Sequence, residues 1–245
     1  MYIINMEKPK VIFFTGAGIS AESGIPTFRD KDGLWEGVDP MVLAHINTWK
    51  NKQNRDHNRG LMLDFYNERR KALHKVEPNA AHIAIAEFEK SGIADVKVIT
   101  QNIDDLHERA GSKHVSHLHG ELFKARTTLT GEVLEWKKDM FIGDRGPDGS
   151  QVRPHIVWFG EPVPQMEAAA YALADCDIVV VVGTSLNVYP AAGVFDYLKK
   201  GCGKYIVNPV IENQGLREQV GFHCYAENAT TGVEKVINKI KKSIC

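Results

Sequence analysis

The sequence predicts an α/β fold, in which a doubly wound parallel sheet carries a smaller inserted domain. Short runs of Val, Ile and other apolar residues recur along the chain, each bounded by turn residues, as is typical of strands covered on both faces. Segments with helical spacing separate these runs, which indicates a parallel sheet with helical crossovers. Two long stretches lack the alternation, and they predict the insertion.

Five apolar runs are the predicted strands, at residues 10–15, 96–100, 156–158, 178–182 and 204–208. Helical spacing predicts helices over 79–90, 191–200 and 232–242. Asn79 follows a proline and is the expected N-cap of the first of these helices. Its apolar face is expected to contain Ile83, Ala86 and Phe88.

The smaller domain is predicted from two separate stretches of the chain. Residues 31–76 have helical spacing with no strand, whereas polar residues and turn dipeptides dominate residues 121–155. Within the second stretch, Thr130-Gly131 is the predicted tip of a hairpin and 143–151 a loop. The predicted division is therefore a Rossmann-like domain at 1–30, 77–120 and 156–245, with 31–76 and 121–155 forming a helical module and a hairpin module.

Composition excludes several classes of protein. The formal net charge of -1 gives no electrostatic case for binding nucleic acid or an anionic membrane. No apolar run approaches the roughly 20 residues that span a bilayer, and residues 1–10 lack signal-peptide and transit-peptide patterns, so we expect a cytoplasmic location. The four cysteines form no CxxC pair and are expected to be reduced thiols.

A glycine turn follows the first predicted strand. Gly16, Gly18 and the intervening Ala17 allow a close approach to a pyrophosphate, whose charge the N–H groups at a helix start would bind, but such turns also arise from packing alone. The next glycine is Gly24, too late for the usual dinucleotide fingerprint, and no acidic strand end follows roughly 20 residues later. An enzyme that transfers hydride is therefore disfavoured.

Polar side chains follow the second predicted strand. Gln101, Asn102 and Asp104 lie at the carboxyl end of that strand, where open α/β sheets bind ligands, although Asn102 or Asp104 could instead cap the next helix. A little further along the chain are His117 and His119; we expect His117 to be structural. An imidazole supplies a base with a pKa near neutral pH, which makes His119 a candidate general base.

Several motifs together resemble the sirtuin family from one end of the chain to the other. They are GAGIS at 16–20, GIPTFR at 24–29, TQNID at 100–104, HG at 119–120, FGE at 159–161 and GTS at 183–185. Sirtuins commonly carry Asp where this chain has Thr27, so one acidic side chain is missing from the implied cofactor loop. The resemblance extends to a bacterial class III subgroup that lacks zinc cysteines.

The resemblance implies an NAD-dependent protein-lysine deacylase that consumes NAD and yields nicotinamide, deacylated lysine and O-acyl-ADP-ribose. It assigns catalysis to His119, as the base that deprotonates a ribose hydroxyl, and to Asn102. Residues 21–35 form the expected lid. The implied NAD contacts are Gly16, Ala17, Gly18, Ser20, Thr27, Phe28, Arg29, Trp35, Gln101, Asn102, Asp104, Gly183, Thr184, Ser185, Asn208 and Ala226.

The same resemblance implies partners and a substrate site. Acylated lysines of other proteins are expected to bind in an extended form along Val157, Phe159, Gly160 and Glu161, by strand addition. Tyr66 and Arg69 are three residues apart on one helix face and resemble the pair with which some sirtuins grip the carboxylate of succinyl and malonyl groups. We therefore expect removal of succinyl or malonyl groups together with some deacetylation, although deacetylation could dominate, as in some bacterial members with the same pair.

Most sirtuins bind a structural zinc ion with four cysteines in the stretch after HG. Residues 121–160 of this chain contain no cysteine, so we predict no zinc there. Apolar packing would then hold the hairpin, with Leu122, Phe123, Leu134, Trp136 and Ile142 as candidates. Two other interpretations stay open: an NAD glycohydrolase that needs no acylated lysine, and a non-catalytic NAD or ADP-ribose sensor.

Overall fold

The computed structural model describes residues 7–27, 39–184, 195, 197–219 and 221–244. Its larger sheet has six parallel strands, in the order β3-β2-β1-β7-β8-β9. These strands are β1 (Lys10–Thr15), β2 (Asp95–Thr100), β3 (Val115–His117), β7 (Ile178–Val182), β8 (Gly203–Val207) and β9 (Phe222–Tyr225). The predicted doubly wound sheet is confirmed.

Helices cover both faces of this sheet. The described helices are α1 (Pro40–Leu43), α2 (Ile46–Lys50), α3 (Arg55–Leu73), α4 (Ala80–Ser91), α5 (Leu106–Ala110), α6 (Met166–Asp175), α7 (Gln214–Gln219) and α8 (Ala229–Ile244). Val11 and Phe13 of β1 pack in one core with α4 and α8, whereas the alternate residues Ile12 and Phe14 pack in a second core with α6. This alternation explains why the central strands are apolar throughout.

The amino end of α4 is formed as predicted. The side-chain oxygen of Asn79 accepts a hydrogen bond from Ala81 N at 3.0 Å, which satisfies a helix N–H. Ala86 and Phe88 are buried, but the expectation for Ile83 was wrong, since this side chain is 44% exposed. The buried face also contains Ala81 and Ile85, and helical geometry places position 83 away from it.

The three strands of the smaller sheet are antiparallel, in the order β5-β4-β6: β4 (Gly120–Thr127), β5 (Val133–Glu135) and β6 (Val152–Ile156). The hairpin with its tip at Thr130-Gly131 is confirmed by the pairing of Ala125 with Leu134. Residues 156–158 were wrongly predicted to lie in the parallel sheet, because Ile156 pairs with Gly120 in the smaller one. The apolar run shows burial but does not specify the partner strand.

The small sheet packs against the helical segment 40–73. Leu122 and Phe123 are buried there, and Leu134 and Trp136 pack against the same core. The expectation for Ile142 was wrong, because its side chain is 46% exposed and Met140 is buried nearby instead. Asn67 of α3 bonds both backbone groups of Met140, at 2.8 and 2.9 Å, so polar bonds as well as apolar contacts join the two modules.

The remaining expectations concern the cysteines, the helix at 191–200, the lid, the domain boundaries and membrane spans. Cys176, Cys202 and Cys224 are free thiols. Most of the predicted helix at 191–200, and part of the lid at 21–35, lie outside the described residues. The domain boundaries stay a prediction. No described helix combines the length and the apolar character that crossing a bilayer requires.

Candidate active site

The predicted site residues follow the carboxyl ends of all six parallel strands. Because the strands are parallel, these ends meet at one edge of the sheet, which spans about 24 Å from β3 to β9 at about 4.8 Å per strand. In the order of the strands from β3 to β9, the residues brought to this edge are His119, then Gln101, Asn102 and Asp104, then Gly16, Ala17, Gly18 and Ser20, then Gly183 and Thr184, then Asn208, and last Ala226.

Two glycine turns touch each other at the centre of this edge. Gly18 N donates to Gly183 O at 2.9 Å, and a methyl group on Gly18 would lie 2.7 Å from the Cα of Gly183. A methyl group on Gly16 would lie 2.7 Å from the Cβ of Thr184. The glycines therefore serve close packing of two backbone turns, and this packing also keeps side chains out of the centre of the edge.

Three polar side chains form a buried network behind the first glycine turn. The Asn102 Nδ2 group donates to Ser20 Oγ and to Gly16 O, both at 3.2 Å, and Ser20 Oγ donates to Asp104 Oδ2 at 3.0 Å. Asp104 Oδ1 also accepts from Leu106 N at 3.2 Å, at the start of α5. Asp104 thus contacts both the first N–H group of α5 and the buried network, whereas the N-cap position itself is Asp105. Burial raises the pKa of Asp104 to about 6.

His119 lies beside this network with one ring nitrogen fixed. Its Nδ1 is 2.9 Å from Gln101 O, which can only accept, so Nδ1 carries the proton and Nε2 holds the lone pair. Burial lowers the pKa of His119, although the hydrogen bond to Gln101 opposes that shift. At neutral pH the imidazole is therefore uncharged, with a basic nitrogen in a defined tautomer.

His117 contacts the same loop, which the sequence did not predict. Its Nδ1 donates to Asn102 O at 2.8 Å, and its Nε2 is 2.8 Å from Glu108 Oε1. Burial alone would lower the pKa of His117, but Glu108 raises it above the ordinary value. Two imidazoles, at positions 117 and 119, thus hold successive carbonyls of the Gln101–Asn102 segment. The spacing of the two histidines, separated by one residue at and just after the end of β3, was the available signal.

Two further histidines behind the site were also not predicted. His82 Nε2 is 3.5 Å from Ser20 Oγ, and His107 Nε2 is 3.1 Å from Thr15 Oγ1. Burial lowers the pKa of His82 to about 4 and that of His107 in the same direction, so both rings are neutral. His82 contacts the polar network through Ser20, and the ring of His107 packs against the ring of His82.

The 157–161 segment joins His119 to the helical segment 40–73. Val157 N donates to His119 O at 2.9 Å, while Phe159 N and O bond to Ala44 O and Ile46 N at 2.8 and 3.1 Å. The Phe159 side chain is 51% exposed. Gly160 has φ +82°, a left-handed conformation that favours glycine. The backbone of Phe159 is therefore already paired within the protein.

Glu161 is engaged by the protein itself. Its two carboxylate oxygens accept from both terminal nitrogens of Arg153, each at 2.8 Å, and Oε2 also accepts from Trp158 N at 2.9 Å and Arg126 Nη2 at 3.0 Å. Burial alone would raise the pKa of Glu161, but the bonds from Arg153 hold it below the ordinary value. This carboxylate fixes the shape of the segment.

Tyr66 and Arg69 lie on one face of α3, as predicted. The Tyr66 phenol oxygen accepts from Trp158 Nε1 at 3.0 Å. Arg69 Nη1 donates to Phe65 O at 2.9 Å, and the guanidinium lies 3.1 Å from the centre of the Phe65 ring. Burial raises the pKa of Tyr66 and lowers that of Arg69 to about 10, so at neutral pH the phenol keeps its proton and the guanidinium its charge.

The remaining predicted contacts are peripheral or outside the described residues. Asn208 is half-buried, and its Nδ2 group donates to Val210 O. Ala226 is exposed, and Thr27 is half-buried where the described part of the glycine-loop region ends. Phe28, Arg29, Trp35 and Ser185 are not among the described residues.

Comparison with known proteins relates this arrangement to one family. The model of the Sir2 family matches residues 16–190. A protein of Helicobacter pylori named NAD-dependent protein deacylase is 45% identical over 231 residues, which cover 94% of this chain and 96% of that protein.

Solved structures give the same result. A Sir2 homologue in complex with NAD superposes with a TM-score of 0.81 at 34% identity, covering 98% of this chain and 92% of that chain. A structure described as Sir2-p53 peptide-NAD+ has a TM-score of 0.74 at 27% identity, covering 96% and 95%.

Proposed function

The chain belongs to the Sir2 family and is an NAD-dependent protein deacylase, and from this premise we propose that it removes succinyl and malonyl groups, as well as acetyl groups, from protein lysines. The observation that supports the acyl preference is the pair Tyr66 and Arg69. A phenol that keeps its proton and a charged guanidinium project from one helix face, and both suit the distal carboxylate of an acidic acyl group.

His119 acts in this proposal as the general base. Its Nε2 accepts a proton from a ribose hydroxyl, while the bond from Nδ1 to Gln101 O keeps the ring in the required tautomer. Asn102 is the second catalytic residue, oriented by its amide bonds to Gly16 and Ser20. NAD supplies the ribose to which the acyl group passes, and it is consumed.

The loops after β1, β2, β7, β8 and β9 would hold NAD. Glycine turns with backbone N–H groups suit the phosphates, and the carboxamide, amide and carboxyl side chains after β2 suit the nicotinamide end. The surface on which NAD would lie is free of bulk at its centre, because Gly16, Gly18 and Gly183 carry no side chains. The half-buried Asn208 after β8 and the exposed Ala226 after β9 would contact the adenosine end.

The acylated peptide would bind along 157–161. Phe159 N and O are bonded to 44–46, Val157 N is bonded to His119 O, and Glu161 is held by Arg153. We therefore expect the peptide backbone to pair with the carbonyl of Val157 and with Gly160. Glu161 then positions the segment, and the exposed Phe159 ring contacts the substrate side chain.

We also propose that the chain binds no structural zinc in its hairpin module. Residues 121–155 contain no cysteine, and the described hairpin is held by buried Leu122, Phe123 and Met140 together with the Asn67 bonds. These residues do not suit a tetrahedral zinc ion. Elemental analysis of the purified protein is expected to find no stoichiometric zinc, and one zinc ion per chain that survives dialysis would contradict this.

Steady-state kinetics on matched acetyl-, succinyl- and malonyl-lysine peptides test the function. We expect Tyr66→Phe with Arg69→Met to lower kcat/KM for the two acidic peptides by at least about a hundredfold, since two hydrogen-bond donors to a charge are lost. The acetyl rate should change far less. Arg55→Met, at the exposed start of the same helix, is the control. An unchanged desuccinylation rate in the double variant would refute the acyl assignment.

A second measurement separates deacylation from NAD hydrolysis. Nicotinamide release is expected to require an acylated peptide and to stop in His119→Ala. Release at the same rate without peptide would identify a glycohydrolase instead.

A further inference from the structure

Among the described residues, the Tyr66 hydroxyl has one hydrogen-bond partner, the indole of Trp158. Trp158 Nε1 lies 3.0 Å from the phenol oxygen, and an indole nitrogen can only donate. The phenol oxygen must therefore accept from Trp158, which leaves its own hydrogen to be donated. No acceptor for that hydrogen lies among the residues that the structure describes.

Trp158 itself is held rigidly. It is 1% exposed, its ring lies 5.3 Å from that of Trp49, and the Arg153 guanidinium is 3.4 Å from its ring centre. Glu161 fixes this assembly, because it accepts from both Arg153 and Trp158 N. The indole N–H thus points in one direction, and it has no freedom to release the phenol.

Trp158 directly follows Val157, the residue that is hydrogen-bonded to the general base. Val157 N donates to His119 O at 2.9 Å, so the position of the indole is set relative to the general base. Three links therefore connect His119 to the Tyr66 hydroxyl: the hydrogen bond from Val157 N, the peptide bond between Val157 and Trp158, and the hydrogen bond from the indole to the phenol.

We propose that Trp158 is a specificity-determining residue that makes the Tyr66 hydroxyl a one-directional donor, selecting acyl groups that end in a carboxylate. This inference rests on the proposed function, because it needs Tyr66 to face the distal end of the acyl chain. Trp158 does not touch the reacting atoms; it acts through Tyr66 as a positioning residue. Acetyl groups lack a distal acceptor, so the hydrogen bond from Trp158 to Tyr66 should not affect deacetylation.

The test is a double-mutant cycle of Trp158→Phe and Tyr66→Phe, with kcat and KM measured on succinyl- and acetyl-lysine peptides. Trp158→Phe keeps an aromatic ring but removes the N–H, and we expect the ratio of succinyl to acetyl kcat/KM to fall about tenfold, mainly through KM. In the Tyr66→Phe background, the same substitution should change that ratio by less than about twofold. Trp49→Phe, the neighbouring buried indole without a bond to Tyr66, is the packing control.

Thermal unfolding checks that each variant is folded. If Trp158→Phe does not fold, benzothienylalanine at position 158 replaces the N–H with sulfur and keeps the bicyclic ring. A ratio that stays within about twofold of wild type, or an equal fall with and without the Tyr66 hydroxyl, would overturn the inference alone. A wild-type protein that removes acetyl but not succinyl groups would overturn the proposed function, and the inference with it.

Discussion

Replacing Glu161 with glutamine tests whether this carboxylate holds the 157–161 segment in place. The substitution keeps the size and shape of the side chain but removes its charge. Arg153, whose side chain is 6% exposed, would then lose the carboxylate that accepts both of its terminal nitrogens at 2.8 Å. Trp158 N would also lose a charged acceptor.

The expected cost follows from this burial. Breaking a buried ion pair by neutralising one partner costs about 3–5 kcal/mol, and the glutamine oxygen still accepts one bond, so we expect about 3 kcal/mol. For a chain of this length, that corresponds to a fall in Tm of about 6–12 °C. Because Arg153 holds the pKa of Glu161 below its ordinary value, this stability is present above that value and is lost as pH falls through the lowered pKa.

Urea or thermal unfolding at pH 7.5 and at pH 4 measures the effect, and the difference from wild type should narrow at the lower pH. Glu121→Gln is the matched control, since its partner Lys124 is 32% exposed and such a pair contributes at most about 1 kcal/mol. A free energy of unfolding for Glu161→Gln that lay within about 1 kcal/mol of the wild-type value at pH 7.5 would refute the argument.

Three further predictions concern the sheet edge. Gly18→Ala should cost about 1–3 kcal/mol and most of the activity, since the new methyl group would lie 2.7 Å from Gly183, whereas Gly215→Ala, with no atom within 4 Å, should be neutral or slightly stabilising in an unfolding assay. The pH profile of kcat/KM, which reports the free enzyme, should show a basic group with a pKa below the ordinary value of histidine, because burial lowers the pKa of His119; an apparent pKa above the ordinary value would contradict this. Asp104→Asn should raise stability by about 2–3 kcal/mol at pH 7.5 and by almost nothing at pH 4, because burial raises the pKa of the carboxyl to about 6, and the folded state therefore loses stability as pH rises from about 4 to about 6. An equal change in unfolding free energy at the two pH values would show that the raised pKa of Asp104 is not the cause.

Strong local patterns made much of the fold predictable. The run 178–182 is buried at every position, as its unbroken Val and Ile sequence predicted for a central strand. Asn79 caps α4, because its short side chain can accept a hydrogen bond from a helix N–H that has no partner within the helix. The carboxyl ends of parallel strands share one edge, so the sequence predicted that the glycine turn and the polar cluster lie together at that edge of the sheet.

What escaped prediction depends on contacts between distant parts of the chain. Residues 156–158 are apolar enough for either sheet, and the choice is made by pairing with Gly120. The edge strand 222–225 has few fully buried positions and so gives a weak pattern. The bond from Trp158 to Tyr66 joins residues 92 positions apart, and local spacing contains no information about it.

The backbone contact between the turns at Gly18 and Gly183 has a consequence for protein engineering. Neither turn can be given a side chain without displacing the other, so the centre of the proposed NAD-binding surface is structurally fixed. Attempts to change cofactor preference should leave both turns intact. The half-buried Asn208 and the exposed Ala226 offer tolerant positions at which libraries could be built.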